Sequence, residues 1–209
     1  MTKVKFIMVV NKEILFGSDY FQGFEMPKDV DYEGRILQNY IYMERPIAEE
    51  NENYKQPIGY AIIFNPQTKK VFAYQRSKKD ENYSEKRLQG KWSWGVGGHI
   101  EMLDHEDGQN PIVESMKREM AEEIDFVAGD SILLGYINDD SDAVGRVHFG
   151  MLYLIETSSE EVKSSDPEIA DSKMLTIEEL ETMCNDNEIT VENWSKIALE
   201  ALKSYMSKL

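Results

Sequence analysis

Cysteine is almost absent: Cys184 stands alone in 209 residues, beside three histidines and six prolines. One thiol cannot form an internal disulfide, so a disulfide-stapled secreted scaffold is excluded and a reducing cytoplasm is the expected compartment. Basic charge is also scarce. Lys and Arg number 23 against 39 Asp and Glu, a net charge of −16. Duplex nucleic acid, whose binding relies on basic neutralisation of phosphates, is not an expected partner. Long apolar runs are missing too. The longest, such as Gly150-Met151-Leu152-Tyr153-Leu154-Ile155, fall far short of a membrane span, so no membrane is expected. The opening Met1-Thr2-Lys3-Val4-Lys5 has no apolar core of a secretory leader.

Hydrophobic residues make up 41% of the chain and aromatics 11%, enough for a sizeable core. The length suits one domain with embellishments. Residues 1–56 are irregular in texture. Lys5-Phe6-Ile7-Met8-Val9-Val10 and Ile14-Leu15-Phe16 flank Asn11-Lys12-Glu13 and predict a hairpin. Residues 37–43 suggest another strand, and the acidic residues 48–56 a linker. The segment is nevertheless rich in strand-forming and aromatic residues and has apolar surface to bury. It is expected to pack on the main domain or to take part in a homodimer interface.

From Ile58 the texture is regular. Residues 60–64 and 70–75 predict strands around the turn Asn65-Pro66-Gln67-Thr68. Residues 78–90 form a charged loop, 132–137 and 147–155 further strands, and 158–171 an acidic loop. Thr176-Ile177-Glu178-Glu179 has the form of a capping box, and residues 192–208 are amphipathic. Strands and helices mix without regular alternation. The expected class is therefore α/β (α+β) with a mixed sheet, not a doubly wound parallel one.

Residues 111–124 carry the most information. Asn110 suits an N-cap and Pro111 the first helical position. Val113, Met116, Met120 and Ile124 recur at helical spacing as one apolar stripe. Glu119, Glu122 and Glu123 stand at i, i+3 and i+4 on another face. Like charges at that spacing repel, and a bare run of this kind is ordinarily a solvated face. A hard divalent cation with oxygen ligands would reverse the repulsion. Upstream, Gly95-Val96-Gly97-Gly98 permits close backbone approach to a ligand.

Gly98-His99-Ile100-Glu101, followed by Arg118-Glu119-Met120-Ala121-Glu122-Glu123-Ile124-Asp125-Phe126, resembles the Nudix box. The resemblance covers residues 58–155 well and the C-terminal helices loosely; residues 1–56 lie outside it. It implies a Nudix-like sandwich of mixed sheet and helices over 57–209, with 1–56 as a β-rich extension. Three features depart from the pattern. Gly98 and Arg118 are twenty positions apart, six more than in the family. Asn110 occupies the position of the box's first glutamate, and Asp125 that of its closing glycine.

The resemblance further implies a hydrolase that cleaves a phosphoanhydride bond in a nucleoside-diphosphate-linked small molecule. Mg²⁺ or Mn²⁺ would be held by Glu119, Glu122 and Glu123, with the Gly97 carbonyl as an addition. Arg118 corresponds to the family's arginine, which orients a glutamate by an ion pair. Candidates for the general base are Glu101, Asp139, Asp140 and Asp142, although the three aspartates are also turn formers. Arg76, Arg87, Trp94 and His99 are candidate substrate contacts, and His148 could also meet phosphate. Residues 102–109 predict a mobile flap. Two other readings stand beside this one: a non-catalytic Nudix-like nucleotide-binding module, and an isoprenoid-diphosphate isomerase, whose branch needs a catalytic cysteine near the metal.

Overall fold

The structure is a computed structural model and describes residues 4–28, 30–77, 88–105, 109–164 and 166–207. The chain divides into two compact units that do not follow chain order. The first holds residues 1–60, 97–118 and 135–152, and the second 61–96, 119–134 and 153–209.

In the first unit, β1 (Phe6–Asn11) pairs antiparallel with β3 (Ile41–Glu44). Its last two residues also pair with the start of β4 (Tyr54–Asn65), Val10 opposite Lys55. Between them lie α1 (Lys12–Phe16), β2 (Gly23–Glu25) and α2 (Tyr32–Asn39), and α3 (Arg45–Ala48) follows. β2 pairs antiparallel with the end of β8 (Ala128–Asn138). The core has two parts. Ile7, Val9 and Ala48 are fully buried together, with Met43 and Tyr54 packed against them. Phe16, Phe21, Tyr32, Tyr136 and Phe149 form an aromatic cluster with ring centroids 5.0–6.2 Å apart.

Residues 1–56 thus differ from expectation in three places. The predicted hairpin is a strand followed by α1, because the Asn11 side chain caps a helix, accepting from the Glu13 and Ile14 amides. Residues 37–43 are divided between the end of α2 and β3. The expected linker is α3 and the start of β4, and Lys55 and Gln56 are fully buried. Both polar ends are satisfied. Lys55 Nζ donates to Asp140 Oδ1 at 2.6 Å and to the Gly145 carbonyl at 2.7 Å. Gln56 Nε2 donates to the Ala48 carbonyl. Patterning reads polar residues as outside, and these two are inside because they find partners there.

In the second unit, β5 (Lys70–Arg76) lies between the end of β4 and β11 (Ile169–Thr176), antiparallel to both, and also carries β6 (Trp92–Ser93). Trp92 makes a parallel bridge to Val191. Asn65 Oδ1 accepts from the Gln67 and Thr68 amides and turns β4 into β5. The expected acidic loop after β9 (His148–Thr157) contains β10 (Lys163–Ser164) and the start of β11. β10 pairs with β7 (Ile124–Asp125). The capping box at Thr176 opens α5 (Ile177–Asn185), and α6 (Asn193–Met206) closes the described chain. β-strands and helices mix as the α+β expectation requires. Among the described residues no helix is long and apolar enough to cross a membrane.

Candidate active site

Helix α4 (Pro111–Glu123) begins in the first unit and ends in the second. Asn110 Oδ1 accepts from the Ile112 amide at 3.0 Å, so Asn110 caps the helix in the way its side chain suggests. Met116, Met120 and Ile124 are buried as the stripe predicts, and Ile112 joins them. Gly97 meets the Gly59 backbone so closely that a Cβ there would lie 2.1 Å from the Gly59 carbonyl oxygen. Glycine is required at Gly97 by this close packing, whether or not its carbonyl meets a metal.

Arg118 sits in the first unit beside Asp104. The guanidinium donates to both Asp104 oxygens, at 2.7 and 2.9 Å, and to the His99 carbonyl at 3.1 Å. Asp104 is 4% exposed and lies on a 3-10 turn, Met102–Asp104, inside the lengthened loop. Asp104 Oδ2 also accepts from the Glu101 amide at 2.7 Å. Residues 102–105 of the expected flap are therefore pinned by a two-pronged ion pair. Glu106 and Asp107 lie outside the described residues. No local sequence pattern marks Asp104 as the partner of Arg118. The signals available were an arginine expected to orient a carboxylate and Asn110 in place of one box glutamate.

In the second unit, Glu119, Glu122 and Glu123 form the last turn of α4. Glu119 and Glu123 are half-buried and Glu122 is exposed. Burial pushes the Glu123 carboxyl up to about 8; Arg76 opposes this, while Glu119, Asp166 and Glu168 add to it. Arg76 donates to Glu192 Oε1 at 2.6 Å and stacks over Tyr74 at 5.3 Å. Arg76 is thus tied into this acidic neighbourhood. The helix does not end in a left-handed cap. Ser164 Oγ donates to the Glu123 carbonyl at 2.8 Å, and the chain runs straight on into β7.

The remaining candidates scatter. Glu101, in the first unit, accepts from Lys5 at 2.7 Å in an exposed pair. Trp94, in the second, is fully buried, which places its ring in the core. Arg87 lies outside the described residues. Asp140 is held by Lys12 and Lys55 at 2.7 and 2.6 Å. Asp139 accepts from Gln22 and the Ser141 amide, and Asp142 from the Gly145 amide. All three aspartates are thus bound into the turn after β8. His99 is half-buried, its Nε2 facing Gln56 Oε1 at 2.8 Å and His148 Nε2 at 3.2 Å. Burial, with His148 beside it, holds the His99 imidazole well below its usual range. Cys184 lies on α5, where burial pushes its thiol up and away from the reactive thiolate.

A NUDIX domain model matches residues 55–195, well over half of the chain. Protein YmaB of Bacillus subtilis (strain 168) is 30% identical over 94% of this chain and 97% of its own length. The chain belongs to the Nudix family. The crystal structure of Tm1382, a proposed Nudix hydrolase, is similar with a TM-score of 0.78 and 27% identity, covering 95% of this chain and 98% of that one. The NUDIX domain of Shewanella oneidensis NrtR, solved with ADP ribose, shares the fold at a TM-score of 0.55 and 17% identity. That alignment covers 73% of this chain and 88% of the NrtR domain. YmaB and Tm1382 align across nearly the whole chain, beyond the residues 55–195 that the domain model matches. Family membership supports a hydrolase of pyrophosphohydrolase type.

Proposed function

We propose that this Nudix protein is a metal-dependent hydrolase that cuts a phosphoanhydride bond in a nucleoside-diphosphate-linked small molecule, with Glu119, Glu122 and Glu123 as its metal ligands. Glu123 carries the reading. A half-buried carboxyl at the end of a box helix, pushed up to about 8 among further acids, is a poor structural choice. The donors are all carboxylate oxygens, which suit Mg²⁺ or Mn²⁺. Such an ion, when bound, neutralises phosphate oxygens and activates water as a nucleophile.

The protein's own residues orient the parts. The capped, buried helix α4 fixes the three glutamates at i, i+3 and i+4. Arg76, tied to Glu192, places a cation close enough to act on Glu123 and suits a phosphate contact. Arg118, spent on Asp104 and the His99 carbonyl, supports the helix and the loop before it. All three glutamates are present, which favours catalysis over a binding module. Cys184, with its raised pKa, offers no reactive thiolate for the isomerase reading.

The test is release of phosphate and pyrophosphate from a panel of nucleotide sugars, dinucleotides, coenzyme A and ADP-ribose. Turnover lost in chelator and restored by Mg²⁺ or Mn²⁺ is expected. Binding of these compounds without release from any of them would favour the non-catalytic module.

A further inference from the structure

Three segments remote in sequence bring metal-binding atoms together within the first unit. Glu49 follows α3, His99 lies in the glycine loop, and His148 opens β9. One ligand atom from each lies within 4.8 Å of the other two. His99 Nε2 is 3.2 Å from His148 Nε2 and 3.6 Å from Glu49 Oε1. We propose that Glu49, His99 and His148 bind a borderline divalent transition-metal ion, zinc first, through a donor set unlike that of the α4 carboxylates.

The spacing fits first-sphere ligation. Ligands about 2.0–2.1 Å from a tetrahedral ion stand roughly 3.3 Å from one another. A hydrogen bond between the two imidazoles explains one of these distances. The Glu49 carboxylate converges on the same nitrogen. The supporting shell has the form that metal-ligating histidines show. His148 Nδ1 lies 2.7 Å from the Val144 carbonyl, and because a carbonyl only accepts, Nδ1 carries the proton and Nε2 faces the cluster with its lone pair. Gln56 is fully buried. Its amide nitrogen is tied to the Ala48 carbonyl, which turns its oxygen towards His99 Nε2 at 2.8 Å. An amide oxygen only accepts, so in the metal-free chain His99 Nε2 carries a proton that it donates to Gln56; an ion would displace that proton, and the Gln56 oxygen is then placed to serve as a further ligand.

The donor set selects the ion. Imidazole nitrogens suit zinc, copper, iron or nickel and not Mg²⁺, so the two sites differ in chemistry. Arg45 donates to Glu49 Oε1 at 3.2 Å and sets an opposing charge nearby. A carboxylate has lone pairs for both partners, but the affinity will fall below that of thiolate-closed zinc sites. An ion here joins α3, the glycine loop and the start of β9, and its role is structural.

The chain has three histidines, which makes a direct reading feasible. Full-length protein is stripped with chelator, placed in excess Mg²⁺ and titrated with Zn²⁺. Ring-nitrogen NMR and calorimetry follow the binding. We expect one equivalent to shift the ring nitrogens of His99 and His148 and to leave those of His105 in place. Glu49→Gln and His148→Gln should each weaken binding by at least about tenfold, the scale on which even outer-shell changes act. Glu122→Gln should leave it unchanged. No binding above the Mg²⁺ background, unshifted rings at His99 and His148, or zinc binding lost in Glu122→Gln would each overturn the site. The wild-type ring-nitrogen reading decides even where a variant fails to fold.

Discussion

Neighbouring charges on α4, Arg118 and the glutamates that follow it, are treated in opposite ways. In the first unit, Arg118 meets Asp104 through two bonds, and the pair is balanced within the protein. In the second, Glu123 is pushed up to about 8, with Glu119, Asp166 and Glu168 as neighbours and Arg76 as the opposing cation. A balanced pair positions structure, because both charges are already compensated. An unbalanced carboxyl stores a penalty that a cationic ligand can relieve. The contrast separates a pair that holds the fold from the carboxylates proposed to hold a metal.

Substitutions among the glutamates should have the largest effect. Glu122→Gln and Glu123→Gln are each expected to lower kcat/KM by at least about a hundredfold at saturating Mg²⁺, the scale of lost metal-ion catalysis. Near wild-type turnover in both would remove the ligand assignment. At the Arg118–Asp104 pair the effect should fall on stability. Asp104→Ala leaves a mostly buried guanidinium without its carboxylate. Breaking a buried pair costs about 3–5 kcal/mol; because the Arg118 side chain is 20% exposed, about 2–4 kcal/mol is expected in urea unfolding. A loss under about 0.5 kcal/mol would return the loop to the expected mobile flap.

The same contrast predicts a pH dependence. Burial raises Glu123 to about 8 in the folded, metal-free chain against the ordinary 4.5 of a glutamate. Between those values the native state holds a proton that the unfolded state has lost. The stability associated with Glu123 is thus fully present below about 4.5 and is lost as pH rises through about 8, by an amount on the order of a few kcal/mol. Glu123→Gln should flatten this slope in chelator, and Mg²⁺ should reduce it in the wild type by favouring the ionised form. A wild-type slope unchanged by either would show that Glu123 is not the group responsible. Lys55 supplies an internal control at higher pH. Burial lowers it to about 8 from 10.5, so its contribution to stability rises with pH above about 8.

What could be read from the sequence followed from periodicity and caps. Val113 to Ile124, the Asn65 turn, Thr176 with Glu179, and the strands after Ile58 each combine a local pattern with a local hydrogen bond, and each is present. What could not be read depended on distant partners. Lys55 is inside because Asp140, 85 positions away, receives it. Gln56 and His99 face each other across 43 positions. Asp104 was indistinguishable from a solvated loop acid until Arg118 appeared beside it. The α1 helix was missed for a different reason: Asn11 serves equally as a turn residue and as an N-cap, and the short apolar run after it suits either.

The smallest expected effect tests the family pattern at its closing position. Asp125 stands where the Nudix box has glycine, and a left-handed cap there would strain an aspartate. The structure removes that premise. Asp125 is extended in β7 opposite Lys163, and among the described residues Lys69 alone has a positive φ without being glycine. The helix end is satisfied by Ser164, which donates to the Glu123 carbonyl. Asp125→Gly therefore relieves no strain. It gives up a cross-strand position opposite an opposite charge and adds backbone freedom to the unfolded chain, each worth about 0.5–1 kcal/mol or less. Urea unfolding should show a lowered midpoint with an unchanged slope, a loss of about 0.5–1 kcal/mol. A gain in stability would mean that the family's glycine is the better residue here and that β7 does not pair with β10 as described.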